Sequence, residues 1–154
     1  MERIAVFPGS FDPFTIGHES IVRRAFPMFD RIVIAVGQNV QKDSYFPLDK
    51  KMLWIKEVFA SDPQVSVDTY RGLTVSYCSS IHATFILRGL RTAADFEYER
   101  AIAQVNKTLH PEIETIFLLT LPEHSAINSS IVRDIIRNGG NASPFLPAAM
   151  NLQG

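Results

Sequence analysis

Four short apolar runs, at residues 4–7, 32–36, 85–87 and 116–119, constrain this chain more than any other feature. Each is continuous rather than alternating and is built from Ile, Val, Phe, Leu and Ala. A strand covered on one face alternates apolar and polar residues. An unbroken run predicts burial on both faces, as in the central strands of a parallel sheet lying between helices. The segment QVSVDTY alternates through Val65 and Val67 and predicts an edge strand. Five strands result. Between them, helical spacing predicts helices at about 17–29, where Ile21, Val22, Ala25 and Phe29 share a face, and at 49–60, 73–81, 94–109 and 129–138. Strand and helix alternate throughout, so the expected fold is α/β: a Rossmann-like, doubly wound, five-stranded parallel sheet with helices on both faces.

A length of 154 residues suits one domain, residues 1–154, with about 140–154 as a C-terminal extension. At 46% hydrophobic and 20% charged residues, the chain can bury a core and lies far from the composition of disordered segments. The net charge of -1 supplies no basic field for nucleic acid or for an anionic membrane. The single cysteine, Cys78, excludes an internal disulfide and is expected to be packed in the core, as are Trp54 and Phe59. The opening MERIAVFPGS has too short an apolar run for a signal peptide, so a cytoplasmic location is expected. His82, His110 and His124 lack metal-ligand spacing, and no protein-built metal site is expected.

In such a sheet, ligands bind beyond the carboxyl ends of the strands. Four strand-end segments carry chemistry: PGSFDPFTIGH, GQNVQK, RGLRTAADFEYE and PEHSAINSS. The first is neither a P-loop nor a dinucleotide fingerprint. Within it, Gly9 permits close backbone approach, Thr15 is a candidate N-cap, and His18 falls in the first helical turn, where an anion is favoured. Capping by Thr15 beside a merely superficial His18 fits those residues as well. Arg88 and Arg91 flank Gly89 after a buried strand and suit phosphates, or alternatively pair with Asp95, Glu97 or Glu99. Lys42 lies in a polar loop and by itself could equally be solvated. Asp95, Glu99, Ile102, Ala103 and Asn106 form a mixed stripe on the next helix, the pattern of a site wall. Asn128, Ser129 and Ser130 begin the last helix, where they can hold phosphates or simply cap it, with Asp134 supporting a capping role.

Thr15-Ile16-Gly17-His18 resembles the (H/T)-x-G-H signature of the nucleotidyltransferase superfamily, and Ile127-Asn128-Ser129-Ser130 resembles its second signature, I-S-S-[ST]. FPGSFDPFTIGH, Lys42, GLTV at 72–75, ILRGLRTAADFEYE at 86–99 and Asn106 extend the likeness over nearly the whole chain. Together they resemble the bacterial phosphopantetheine adenylyltransferase family. Asn128 replaces the first serine of the second signature, Ser10 a common threonine, Val40 a frequent proline and Asp134 a glutamate. His124 stands where an aromatic residue is usual.

The resemblance implies transfer of an adenylyl group from ATP to 4'-phosphopantetheine, in coenzyme A synthesis. It implies catalytic roles for His18, Lys42 and Arg91. It implies ATP contacts from Ser10, Phe11, His18, Gly89, Leu90, Arg91 and Glu99, and from His124, Ser125, Ala126, Ile127, Asn128, Ser129 and Ser130. Phosphopantetheine would meet Ser10, Lys42, Leu73, Thr74, Arg88 and Asn106. Mg²⁺ held mainly by ATP phosphates and water, and a homo-hexameric assembly, are likewise implied. The acceptor phosphate is already an anion, so positioning and charge stabilisation suffice without a general base. Alternatives are a sister nucleotidyltransferase acting on nicotinamide mononucleotide or glycerol phosphate, and a non-catalytic nucleotide-binding or signalling domain on a flavodoxin-like sheet.

Overall fold

The computed structural model describes residues 1–39, 41 and 43–152. Five strands, β1 (Ile4–Gly9), β2 (Arg31–Gly37), β3 (Val65–Tyr70), β4 (Phe85–Leu90) and β5 (Glu114–Leu119), form one parallel sheet in the order β3-β2-β1-β4-β5. Five helices connect and follow them: α1 (Ile16–Ala25), α2 (Leu48–Val58), α3 (Thr74–Ser80), α4 (Ala93–Leu109) and α5 (Ser129–Arg137).

The runs at 4–7 and 32–36 are buried on both faces because successive side chains point to opposite sides. Ala5, Phe7, Ile32, Ile34 and Val36 pack with Ile21, Val22 and Ala25 of α1 and with Ile55 and Val58 of α2. Ile4, Val6, Val33, Ala35 and Ile86 pack on the other side with Val75 and Cys78 of α3. Phe117 meets Phe96 of α4 edge to face. Trp54 and Phe59 are buried, as expected. The alternating segment at 65–70 is an edge strand.

Two expectations need correction. The run at 116–119 is not central: β5 is the other edge, its interior residues are only half-buried, and Leu119 is 70% exposed. Its apolar character reflects α4, which packs against β4 and β5 while leaving Ile102, Val105 and Leu109 exposed. The first helix stops at Ala25 rather than running to 29. Pro27 lacks an N–H to continue the ladder, and a single 3₁₀ turn over Phe26–Met28 replaces it.

The strand order creates the site. The β1–β2 ladder runs from Ile4 opposite Arg31 to Gly9 opposite Val36, whereas β1 and β4 pair only through Ala5–Phe85 and Val6–Ile86. Beyond Val6 the two strands part. This gap lies where the connections diverge to opposite faces, the usual ligand position in an open α/β sheet.

Candidate active site

The cleft opens between the ends of β1 and β4 and has two compartments. The first is lined by Ser10 and Phe11 from the first loop, by His18 of α1, by Gly89 of β4, Arg91 just beyond it and Glu99 of α4, and by His124, Ile127, Asn128 and Ser129 from the last loop and α5. The second is lined by Thr74 of α3 and by Ile102, Ala103 and Asn106 of α4. Arg88 and Glu99 border both. The polar and apolar stripe on α4 therefore lines the cleft.

His18 is fixed by its own helix. Thr15 is the N-cap of α1, its hydroxyl accepting the His18 backbone N–H at 3.3 Å, while the Thr15 N–H donates to His18 Nδ1 at 2.9 Å. This is a capping box with histidine in the place usually held by Glu or Gln. An accepting Nδ1 places the ring proton of the neutral imidazole on Nε2. Burial pushes the His18 pKa down to about 3, with the Arg88 and then the Arg91 guanidinium adding to the effect. The ring is thus a neutral donor, and its edge packs against Phe11, whose centroid is 5.0 Å away.

Arg88 spans the gap. Its Nη1 donates to the Pro8 carbonyl at 2.6 Å, and its Nε and Nη2 donate to the two carboxylate oxygens of Glu99 at 3.1 and 2.5 Å. Arg91 stands beside Asp95, with Nε 3.3 Å from the carboxylate, and Glu97 pairs with Arg100. These arginines are paired, and they also line the cleft. The two-pronged pairing with Glu99 fixes the Arg88 fork instead of removing it from the cleft.

Gly9 and Gly89 leave their backbones bare for a reason internal to the protein. A Cβ on Gly9 would lie 2.8 Å from the Phe11 ring, and one on Gly89 would lie 3.1 Å from Ile21. Protein side chains, rather than a ligand, already claim that space.

At the start of α5, Asn128 is the N-cap, accepting from the Ile131 N–H at 2.8 Å. Ser129 donates to the Pro13 carbonyl at 2.8 Å, and the Ser130 hydroxyl accepts from Arg133 at 3.1 Å. Asp134 does not support the cap. It lies beyond the first turn and receives Asn138 at the other end of the helix. Leu90, Ser125, Ala126 and Ser130 do not line either compartment, and neither does Leu73, which precedes α3 and is 61% exposed. Lys42 and Val40 lie outside the described residues.

The structure adds residues that motif spacing did not single out. Tyr98 borders both compartments, and Thr120 borders the first. Thr120 directly follows β5, so the strand-end rule reaches it. Asp12 is buried, its carboxylate accepting the backbone N–H groups of Tyr45 and Phe46 at 2.8 and 2.9 Å. Lys51 is 2% exposed and donates to the Ser10 carbonyl and the Ser44 hydroxyl. Burial lowers its pKa, partly opposed by the Asp12 carboxylate, and Arg133 lowers it further. The signal for Lys51 was present: it lies on the same helical stripe as Trp54, Ile55 and Val58. His124 Nδ1 is buried and without a hydrogen-bond partner among the described residues.

Burial raises the Cys78 thiol to about 12, in keeping with a packing role. Among the described residues no helix is long and apolar enough to cross a membrane.

Known proteins match this arrangement. A family model described as cytidylyltransferase-like covers residues 6–135. The phosphopantetheine adenylyltransferase of Flavobacterium psychrophilum is 53% identical over 151 residues, spanning 98% of this chain and 99% of that protein. The phosphopantetheine adenylyltransferase of Cytophaga hutchinsonii is 48% identical over 147 residues, 96% of this chain and 98% of its own. Among solved structures, a bifunctional NMN adenylyltransferase/ADP ribose pyrophosphatase from Francisella tularensis superposes with a TM-score of 0.70 at 17% identity. That match covers 97% of this chain but 46% of the longer protein, and it concerns the fold alone. Near-complete alignment at such identity, joined to a histidine and two arginines around the gap between β1 and β4, places the chain: it belongs to the phosphopantetheine adenylyltransferase family of cytidylyltransferase-like proteins.

Proposed function

We infer that the protein transfers the adenylyl group of ATP to the phosphate of 4'-phosphopantetheine, forming dephospho-coenzyme A and pyrophosphate. The observation that carries this reading is the neutral His18 donor held beside Arg88 and Arg91 where β1 and β4 part. An acceptor phosphate oxygen attacks the α-phosphorus of ATP. A new P–O bond forms, the bond to the α,β-bridging oxygen breaks, and pyrophosphate leaves with that electron pair. His18 Nε2–H and Lys42 stabilise the charge that builds on the α-phosphate oxygens, in the manner of an oxyanion hole. Arg91 and Ser129, which line the first compartment, receive the leaving pyrophosphate, and Ser10 bridges acceptor and nucleotide. The nucleotide lies in the first compartment, with Glu99 accepting from ribose hydroxyls and His124, Ile127 and Asn128 beside the base. Phosphopantetheine takes the second compartment, with Arg88 on its phosphate and Thr74 and Asn106 along its arm.

The acidic side chains at the cleft, Asp95 and Glu99, are engaged by Arg91 and Arg88. That donor set suits Mg²⁺ arriving with the triphosphate and held by phosphate and water. When bound, the ion would offset phosphate charge. The exposed apolar residues Val105 and Leu109 of α4 fit a homo-oligomer, and the family resemblance implies a hexamer. Use of ATP assigns the reaction to the cytoplasm.

Incubation with ATP, Mg²⁺ and 4'-phosphopantetheine, followed by mass spectrometry, tests the reading. Dephospho-coenzyme A is the expected product. Folded protein that forms none overturns it.

A further inference from the structure

The segment from Ser10 to Pro13 is held from outside itself. Phe11 has a φ of 46°, a left-handed conformation that a residue with a bulky side chain keeps only when its surroundings enforce it. Three donors from two helices supply that enforcement. Lys51 Nζ of α2 reaches the Ser10 carbonyl at 2.9 Å, Arg133 of α5 reaches the Asp12 carbonyl at 2.8 Å, and Ser129 of α5 reaches the Pro13 carbonyl. Lys51 also donates to Ser44 Oγ at 3.0 Å, so one ammonium joins the first loop to the segment that follows Lys42 in the sequence. Asp12 joins the same two segments again through the Tyr45 and Phe46 N–H groups.

Burying a lysine is costly unless its donors are satisfied. An apolar side chain of similar length would pack beside Trp54 and Ile55 without that cost. It would not supply the two hydrogen bonds.

We propose that Lys51 is a positioning residue for adenylyl transfer: by bonding the Ser10 carbonyl and the Ser44 hydroxyl together, it sets the first loop, whose Ser10 lines the cleft, at one distance from the 43–46 segment. Lys51 touches no reacting atom and acts through Ser10. The proposal rests on the functional reading above, in which Ser10 lies between acceptor and nucleotide.

The experiment compares Lys51→Met, Lys51→Arg and Ser44→Ala with the wild-type chain. It measures kcat, KM for 4'-phosphopantetheine, direct ATP affinity by calorimetry, and Tm. Lys51→Met is expected to lower kcat roughly 10- to 100-fold, the scale of loss when reacting groups are displaced by about 1 Å, and to raise the phosphopantetheine KM while ATP affinity changes little. Ser44→Ala should show the same pattern to a smaller degree, and Lys51→Arg should regain most of the lost kcat. A folded Lys51→Met protein with wild-type kcat and KM, changed only in Tm, overturns the proposal. If Lys51→Met does not fold, Ser44→Ala with wild-type kinetics overturns it instead. The wild-type arm separates the two levels. A wild type that makes no dephospho-coenzyme A overturns the functional reading, whereas an active wild type with kinetically indifferent variants overturns only the role of Lys51.

Discussion

Thr15 and His18 cap each other: the Thr15 backbone N–H donates to His18 Nδ1 at 2.9 Å, and the His18 backbone N–H donates to Thr15 Oγ1 at 3.3 Å. The start of α1 and the tautomer of the central imidazole are thereby one structural decision. Thr15→Val keeps the volume and removes the hydroxyl, so it should cost about 1 kcal/mol of stability, the usual worth of an N-cap. It should also reduce kcat as the first turn loosens, whereas Thr15→Ser should restore both. Denaturant titration together with steady-state rates checks this, and a Val variant as stable and active as wild type would contradict it.

The same burial makes His18 a pH-dependent element of stability. Its folded pKa, about 3, lies below the ordinary 6.5. Between those values the unfolded chain binds a proton that the native chain refuses, so stability rises with pH through this window and falls on acidification. From this one group the slope is at most about 1.4 kcal/mol per pH unit. Urea unfolding at several pH values should show a steeper acid loss in wild type than in His18→Gln. Equal slopes would mean that His18 is not held neutral.

The pair between Arg88 and Glu99 yields a third expectation. Glu99→Gln removes the charge that fixes the guanidinium fork, leaving a partly buried cation with a weaker partner. Stability should fall by about 1–3 kcal/mol, the range for an incompletely satisfied buried polar group. Both substrates should bind less tightly, because Arg88 and Glu99 border both compartments. Calorimetric titration of each ligand decides this; an effect confined to one ligand would divide the roles differently.

Much of this fold was legible because strand burial leaves a periodic record. The runs at 4–7 and 32–36 are apolar on both faces, since α1 and α2 cover one side and α3 the other. The run at 116–119 misled because composition records how apolar a strand is, not what covers it. Leu119 is exposed at the edge of the sheet. At the site, His18, Arg88, Arg91 and the start of α5 follow strands or open helices, and motif spacing finds them. Lys51, Asp12 and Arg133 act on backbone atoms 41, 33 and 121 residues away, as judged by their partners Ser10, Tyr45 and Asp12. No local pattern encodes such a partner. Only the misplaced charge on an apolar helical stripe marked Lys51.

Cys78 offers a simple test of core integrity. The thiol is fully buried, and burial raises its pKa to about 12, so the thiolate that reacts with disulfide reagents is scarce in the native state. It is the single cysteine of the chain, which makes the signal unambiguous. The native protein should react slowly with an aromatic disulfide reagent, and urea-unfolded protein should react fast and stoichiometrically. Rapid native labelling would show that α3 does not pack on the sheet as described.

Pyrophosphate release from ATP and Mg²⁺, compared among acceptors, decides which phosphate the protein adenylylates. With 4'-phosphopantetheine the wild-type protein should release pyrophosphate and form an equal amount of dephospho-coenzyme A. His18→Ala should lower that rate by about 10²–10³, the loss expected when one donor to a transition-state oxyanion is removed. Nicotinamide mononucleotide and glycerol phosphate should give no release above background. Faster release with either of those acceptors, or an undiminished rate in His18→Ala, would contradict the account.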